Sequence, residues 1–145
     1  MEKKEENDLF FVCSLLEYIA RKTSNKKKYI VEKIGKDKIN KIYNLADVYH
    51  SENIDKIVSE LIEEHNIDNG NYCLNLNEDK PTFWEIGRVY KNLILKLDSN
   101  PNSYIDNLMN VLSSWIIEKI DDYNSSLYYE NPDYIYNCYI ENKIL

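Results

Sequence analysis

The chain has 145 residues, of which 43% are hydrophobic and 30% charged, a balance typical of one globular domain and not of a disordered or fibrous chain. Three glycines and three prolines are too few for the frequent turns of a sandwich or barrel. Three widely spaced cysteines without a CxxC pair indicate neither a disulfide framework nor a zinc site. We therefore expect a cytoplasmic, all-α protein, with residues 1–145 forming a single bundle-like domain of about six to eight helices and holding no cofactor.

The first predicted helix spans residues 8–22, where apolar residues recur at spacings of three and four. Ser14 and Glu17 interrupt its apolar stretch, which is too short and too polar for a signal peptide or a membrane span. We therefore expect an amphipathic helix that covers a core, and no membrane association.

A basic segment overlaps the end of this helix. Residues 21–41 contain nine Lys or Arg against only Glu32 and Asp37, a local balance of +7 in a chain whose net charge is -7. Clustered like charge steers association and partner choice, although it says little about fold. The cationic side chains that we assign to a candidate contact surface are Arg21, Lys26, Lys27, Lys28, Lys36, Lys38 and Lys41.

The same segment has the layout of two helices around a tight turn. Asn25 is suited to cap a helix over residues 26–34, Gly35 is suited to the left-handed turn that ends it, and a third helix is predicted over residues 36–50. Segment 25–50 is thus a loose match to a helix-turn-helix, which makes nucleic-acid binding one candidate function. The acidic chain and its scarcity of arginine favour an acidic protein partner instead, or a plain solvated face.

Asp47 and His50 lie one helical turn apart, near the end of the third predicted helix. Asp47 is placed to orient the imidazole for acid–base chemistry, whereas the plainer interpretation is that His50 and Ser51 close one helix and open the next. No third group at a recognised spacing supports catalysis, and the HExxH metal pattern is absent. We therefore predict no catalytic residue and no metal ligand, and we name Asp47, His50 and Arg88 as a candidate polar site.

A fourth helix is predicted over residues 54–62, with Ser51 or Asn53 as its cap. The helical periodicity then stops between residues 66 and 81. Apolar and polar residues alternate around Tyr72, so this segment is predicted to be a short strand or an extended loop.

Thr82 and Glu85 match a capping box, which predicts a helix over residues 83–97. Most of its circumference is apolar, and Gly87 within it is expected to permit the close approach of another helix or of a ligand. A further helix is predicted over residues 105–122. We expect these two helices at the centre of the bundle.

The end of the chain is rich in tyrosine. A helical turn is predicted over residues 127–129, and a last helix over residues 131–140 begins at an Asn-Pro pair. Tyr128, Tyr129 and Tyr134 are candidate interface side chains, because tyrosine combines apolar area with a polar tip. The alternative is that these rings cap the bundle and present their hydroxyls to water.

Four stretches of the chain resemble an uncharacterised family of small helical proteins from anaerobic Gram-positive bacteria: FFVCSLLEYIARKTSNKKKYIVEKIG, IYNLADVYHSENIDKIVSELIEE, FWEIGRVYKNLIL and KIDDYNSSLYYENPDYIYNCYI. The resemblance extends over nearly the whole chain. Members of that family are encoded beside proteins similar to ADP-ribosyltransferase toxins, so the resemblance implies a toxin–antitoxin or defence-type operon. It transfers no catalytic or ligand-binding residue to this chain.

From the residues and the resemblance together we expect a non-enzymatic protein–protein interaction component, antitoxin-like or regulatory. Its partner would be an acidic or toxin-like protein, or a second copy of this chain. A nucleic-acid-binding protein that uses segment 25–50 is the alternative.

Overall fold

The computed structural model describes residues 3–72, 80–122 and 127–145, and these ranges form helices and connecting loops without any strand. The prediction of an all-α, single-domain protein is confirmed. The α-helices in the described ranges are α1 (Lys4–Thr23), α2 (Lys27–Ile34), α3 (Lys36–Asn44), α4 (Ala46–His50), α5 (Ile54–Glu64), α6 (Phe83–Leu97), α7 (Tyr104–Leu112), α8 (Ile116–Asp121) and α9 (Pro132–Glu141). Short 3₁₀ turns lie at Pro101–Ser103 and Leu127–Tyr129.

Two predicted helices are each divided in two, which gives more α-helices than the six to eight expected. Residues 36–50 form α3 and α4, because Leu45 (φ -110°, ψ 23°) leaves helical geometry between them. Residues 105–122 are interrupted after α7, where the hydroxyl of Ser114 donates to the carbonyl of Val111 at 2.6 Å. Such local hydrogen bonds compete with the helical ladder.

Helices α1 and α6 form the centre of the molecule. They have the most extensive contact of any pair of elements, and α1 also touches α2, α3, α4 and α5. A Cβ atom at Gly87 would lie 2.1 Å from Ser14 Oγ and 2.9 Å from Ser14 Cα, so only glycine fits at this crossing. The prediction that Gly87 permits a close helix approach is confirmed. Residues 83–97 and 105–120 are expected at the centre; α6 lies there, but its most extensive contact is with α1, ahead of its contact with α7.

The helix caps follow local chemistry in most places. Thr82, Asn53 and Asn131 each accept a hydrogen bond from a backbone N–H in the first turn of their helix, as expected. Gly35, at φ +87°, takes the positive φ that ends α2.

Asn25 does not cap α2, contrary to expectation. Its side-chain amide donates instead to Thr23 Oγ1 at 2.9 Å and to the carbonyl of Asp68 at 2.7 Å. Gly70 N–H also donates to the Thr23 carbonyl at 2.7 Å, so the described part of the 66–81 loop is fastened to the end of α1. The predicted strand or extended loop falls partly on residues 73–79, which lie outside the described residues.

No helix in the described ranges is both long and apolar enough to cross a lipid bilayer.

Candidate interaction site

The middle of the basic segment lies inside the protein. Lys27 is only 1% exposed, and its Nζ lies 3.0 Å from Glu17 Oε1 and 2.7 Å from Asp121 Oδ1. The hydroxyl of Tyr90 lies 3.2 Å from Glu17 Oε1 and 3.3 Å from Asp121 Oδ1. The prediction that Lys27 belongs to an exposed contact surface is therefore wrong, because two carboxylates of the core bind its ammonium group.

Two more side chains complete this arrangement. Tyr72 donates its hydroxyl to Asp121 Oδ2 at 3.2 Å, and Arg21 donates Nε–H to Glu17 Oε2 at 2.7 Å. Each of the four carboxylate oxygens thus receives at least one donor. We call the set the buried ion cluster; its members are Glu17, Arg21, Lys27, Tyr72, Tyr90 and Asp121.

Burial and charge act in opposite senses on the groups of the buried ion cluster. Burial tends to lower the pKa of Lys27, but Glu17 and Asp121 outweigh it, and the pKa lies above its ordinary value. Burial raises the pKa of Asp121 although Lys27 acts to lower it, and burial with Asp121 raises the pKa of Tyr72. Because its hydrogen bonds are satisfied, the cluster has the character of a structural network.

The burial of Lys27 has a signal in the sequence, which charge counting overlooks. Residues at i, i+3, i+4 and i+7 share one face of a helix, and Lys27 stands in this relation to Ile30, Val31 and Ile34, which are all buried. The position of Lys27 on the apolar face of α2 therefore indicates that it is buried, whereas Lys28 lies off that face and is exposed.

Several other cations of the basic segment also pair with acidic residues of the same chain. The pairs outside the cluster are Lys26 with Glu118 at 2.6 Å, Lys38 with Glu64 at 3.4 Å, and Lys36 with Asp106. Their carboxylates lie on α8, α5 and α7, so the cations face three different helices. Lys28 and Lys41 have no ion-pair partner among the described residues. Segment 25–50 does form two helices around Gly35, as the helix-turn-helix interpretation requires.

Two cavities, of about 470 and 250 Å³, adjoin the exposed part of the basic segment. Lys26, Lys28 and Tyr72 line both cavities, and the smaller one also reaches Lys27 and Asp121. Two exposed cationic side chains of the segment, Lys26 and Lys28, and the aromatic ring of Tyr72 come together here. Within the described ranges, no group of three or more His, Cys, Asp or Glu is arranged to hold a metal ion.

The three candidate interface tyrosines differ in exposure. Tyr129 is 67% exposed, whereas Tyr128 and Tyr134 are half-buried and pack against the core. The hydroxyl of Tyr128 lies 3.4 Å from Glu85 Oε2. The structure therefore leaves Tyr129 as the accessible ring of the three.

The structure places Asp47 and His50 on one cavity of about 540 Å³. No hydrogen bond joins them in the described structure. The carboxylate of Asp47 lies 3.4 Å from Lys4 Nζ, and the ring of His50 stacks on Phe11 with centroids 5.2 Å apart. The two residues are therefore neighbours without the geometry of an acid–base pair. The other residues that line this cavity are Lys4, Asn7, Asp8, Phe10, Phe11 and Trp84.

Arg88, the third member of the candidate polar site, lies against the same region without lining the cavity. Its guanidinium carbon is 5.0 Å from the centroid of Phe10, a cation–π distance, and Lys91 Nζ is 5.8 Å from the same ring. Both cations therefore lie beside Phe10, a residue that lines the cavity, and are not themselves part of the lining.

A row of aromatic rings runs from this cavity along the contact of α1 and α6. Successive ring centroids are 5.6 Å apart for Phe10 and Trp84, 4.9 Å for Trp84 and Phe83, and 4.6 Å for Phe83 and Tyr18. All four rings are half-buried, and the Tyr18 hydroxyl donates to Asp55. We call these four residues the aromatic row.

Sequence reasoning missed the aromatic row. The apolar pattern places Phe83 and Trp84 on the surface of the helix predicted over residues 83–97, and Phe10 and Tyr18 lie on a helix whose other apolar residues are buried. The available signal is that Phe10 and Tyr18 are eight positions apart on α1, close to two full turns, so they share a face.

Comparisons with known proteins found no matching family model, no similar curated protein and no similar solved structure.

Proposed function

We propose that this protein is a non-enzymatic protein–protein interaction component, and that the aromatic row with the cavity beside it is its main contact surface. The observation that carries the proposal is the row itself, since it holds four half-buried rings at the junction of the two central helices. Protein interfaces are enriched in Trp, Tyr, Phe and Arg, and a few such side chains supply most of the binding free energy.

The energetic argument concerns the ring surface that remains in contact with water. Burial of apolar surface contributes about 25 cal/mol for each Å², so a partner that covers about 100 Å² more of these rings gains about 2.5 kcal/mol. The rings are held in place by their contacts with each other and with the core, which limits the entropy lost on binding.

Two further features support binding over catalysis. The donors and acceptors of the buried ion cluster are satisfied by one another, and the Asp47 carboxylate is engaged by Lys4. A catalytic acid or base needs a geometry in which it reaches a substrate proton, and neither group offers it here.

Within this proposal the partner is a toxin-like protein from the same operon, as the resemblance of the four quoted stretches implies. Of the cations assigned to the candidate contact surface, Lys28 and Lys41 are the two without an ion-pair partner among the described residues, so they supply a secondary contact with an acidic surface. The exposed ring of Tyr129 lies outside the main contact surface. Nucleic-acid binding through segment 25–50 is the alternative, supported by the arrangement of α2, Gly35 and α3.

Co-expression with the products of the flanking genes tests the proposed function. We expect the tagged wild-type protein to co-purify with one of them at a fixed ratio, and Trp84→Ala to lose that partner because the aromatic row is interrupted. Tyr129→Ala removes an exposed ring elsewhere and should retain the partner. Circular dichroism of each variant checks its fold. Retention of the partner by folded Trp84→Ala, or activity of the isolated protein on a small molecule with no partner found, would contradict the proposal.

A further inference from the structure

We infer that the partner inserts a short basic segment into the cavity beside the aromatic row. This segment carries a Lys or Arg side chain next to an apolar one. In the free protein, the ammonium group of Lys4 occupies the position that the partner's cation takes. The inference rests on the proposed function. It concerns the chemistry of the partner, whereas the proposed function concerns the existence of the contact.

The charged groups that line the cavity are unbalanced. One ammonium group, that of Lys4, lies 2.8 Å from Asp8 Oδ2 and 3.4 Å from Asp47 Oδ2. With His50 counted as neutral, two carboxylates share one cation, and the lining keeps an excess negative charge. The hydrogen bond to Asp8 raises the pKa of Lys4, as expected for an ammonium group between two carboxylates.

The ion pair between Lys4 and Asp47 is of a kind that the cation of a partner can replace readily. The side chain of Lys4 is 61% exposed and that of Asp47 is 73% exposed, whereas Asp8 is almost covered at 11%. Exposed ion pairs between flexible side chains contribute little to stability. A cation brought by a partner would meet Asp47 in a site already shielded from water by that partner, where the same pairing is stronger.

The walls of the cavity explain why the cation should have an apolar neighbour. Phe10, Phe11 and Trp84 supply aromatic surface, and the volume of about 540 Å³ is enough for more than one side chain. An aromatic wall beside an unbalanced carboxylate suits a long side chain with an apolar stem and a cationic end.

The charge of the whole chain acts in the same direction. A balance of +7 within residues 21–41 and -7 for the chain leaves -14 for the remaining residues, which include all those that line this cavity. A field of that sign raises the association rate of a basic partner.

Two synthetic peptides with blocked ends test this inference: an amphipathic peptide of leucine and lysine, and its counterpart of leucine and glutamate. Binding is followed by the fluorescence of Trp84 in a Trp115→Phe background, which removes the other tryptophan of the chain. We expect the lysine peptide to bind and the glutamate peptide not to bind. Equal binding of both peptides, or binding of neither, would overturn the inference.

Variants of the carboxylate and of its cation separate a specific site from general attraction. Asp47→Asn should weaken the lysine peptide about threefold, the effect of one partly exposed ion pair, and Lys4→Ala should strengthen it. Asp133→Asn is the matched control, since Asp133 is 80% exposed and pairs with Lys96 on a different part of the surface. The inference fails if Asp47→Asn and Asp133→Asn bind alike.

The two proposals fail in different ways. The first case is that Trp84→Ala loses the co-purified partner while Asp47→Asn and Lys4→Ala change neither assay. This result would support the proposed function and refute the inference that the partner presents a basic segment. Retention of the partner by folded Trp84→Ala would refute the proposed function itself.

Discussion

Lys27 illustrates how one residue can have a role opposite to that of its neighbours in sequence. It stands in a run of three lysines, yet its ammonium group is buried between Glu17 and Asp121 while Lys26 and Lys28 are exposed. Taking a charge out of water is costly unless partners at short distance compensate for it. The pairing partners of Lys27 are therefore a requirement of the fold, and the residue is not part of an exposed contact surface.

Replacement of Lys27 should destabilise the protein strongly. Lys27→Met leaves the carboxylates of Glu17 and Asp121 buried without their shared cation, and we expect the free energy of unfolding to fall by about 3–5 kcal/mol. Urea denaturation followed by circular dichroism measures the change. Lys28→Met, the same substitution at the adjacent exposed position, should have little effect, and equal urea midpoints for the two variants would contradict the buried ion cluster.

The buried ion cluster also predicts how stability depends on pH. A lysine whose folded-state pKa is raised stabilises the fold fully below its ordinary value of 10.5, and this contribution is lost as the pH rises through the folded-state value. The raised pKa of Tyr72 acts in the same sense, because its hydroxyl keeps its proton longer in the folded than in the unfolded state. The free energy of unfolding should therefore fall above about pH 10.

Urea denaturation at a series of alkaline pH values checks this dependence. Lys27→Met lacks the titrating ammonium group, so its stability should fall less steeply over the same range. Parallel curves for the wild type and Lys27→Met would show that other groups govern the alkaline loss.

At the scale of elements, the crossing of α1 and α6 sets the position of the aromatic row. Gly87 lets the two helices come close, and the four rings lie along the contact that results. Ser14, opposite Gly87, is buried and its hydroxyl has no hydrogen-bond partner among the described residues. A small residue on each helix is thus used for proximity and not for polar interaction.

Substitutions at the crossing test its packing. Gly87→Ala would place a Cβ atom 2.1 Å from Ser14 Oγ and 2.9 Å from its backbone, so the free energy of unfolding should fall by about 1–3 kcal/mol. Ser14→Ala removes a buried, unpartnered hydroxyl and should be neutral or slightly stabilising. The double variant should recover only part of the loss, since the backbone contacts persist; thermal denaturation of the three variants measures this. Full recovery in the double variant would mean that the Oγ atom alone causes the strain.

The elements that could be predicted from the sequence are those specified by nearby residues. The capping box at Thr82 and the Asn-Pro pair at residues 131–132 act within one turn, and both begin helices as expected. The role of Asn25 could not be predicted in the same way, because its side-chain amide donates to the carbonyl of Asp68, 43 positions away. The interruption at Leu45 was also missed, since the apolar periodicity continues through it.

At the scale of the whole molecule, the basic segment and the acidic remainder are complementary parts of one fold. The excess of Lys and Arg over residues 21–41 predicts an exposed basic surface that binds an acidic partner. The structure instead pairs many of these cations with carboxylates on α1, α5, α7 and α8. The candidate site could not be predicted for a related reason: the aromatic row and its cavity draw residues from α1, α4 and α6, and one-dimensional patterns do not show which helices meet.

The link between Lys27 and Asp121 has a consequence for the order of folding. The two residues are 94 positions apart, so a chain emerging from the ribosome completes α1 and α2 long before Asp121 is available. Until then Lys27 has only Glu17 among its two carboxylate partners, and the cavity that receives its ammonium group is incomplete. Contacts between distant positions slow folding because a large loop must close before they form. The helices of this protein should therefore reach their final packing together, when α8 docks, and not one after another as they are synthesised.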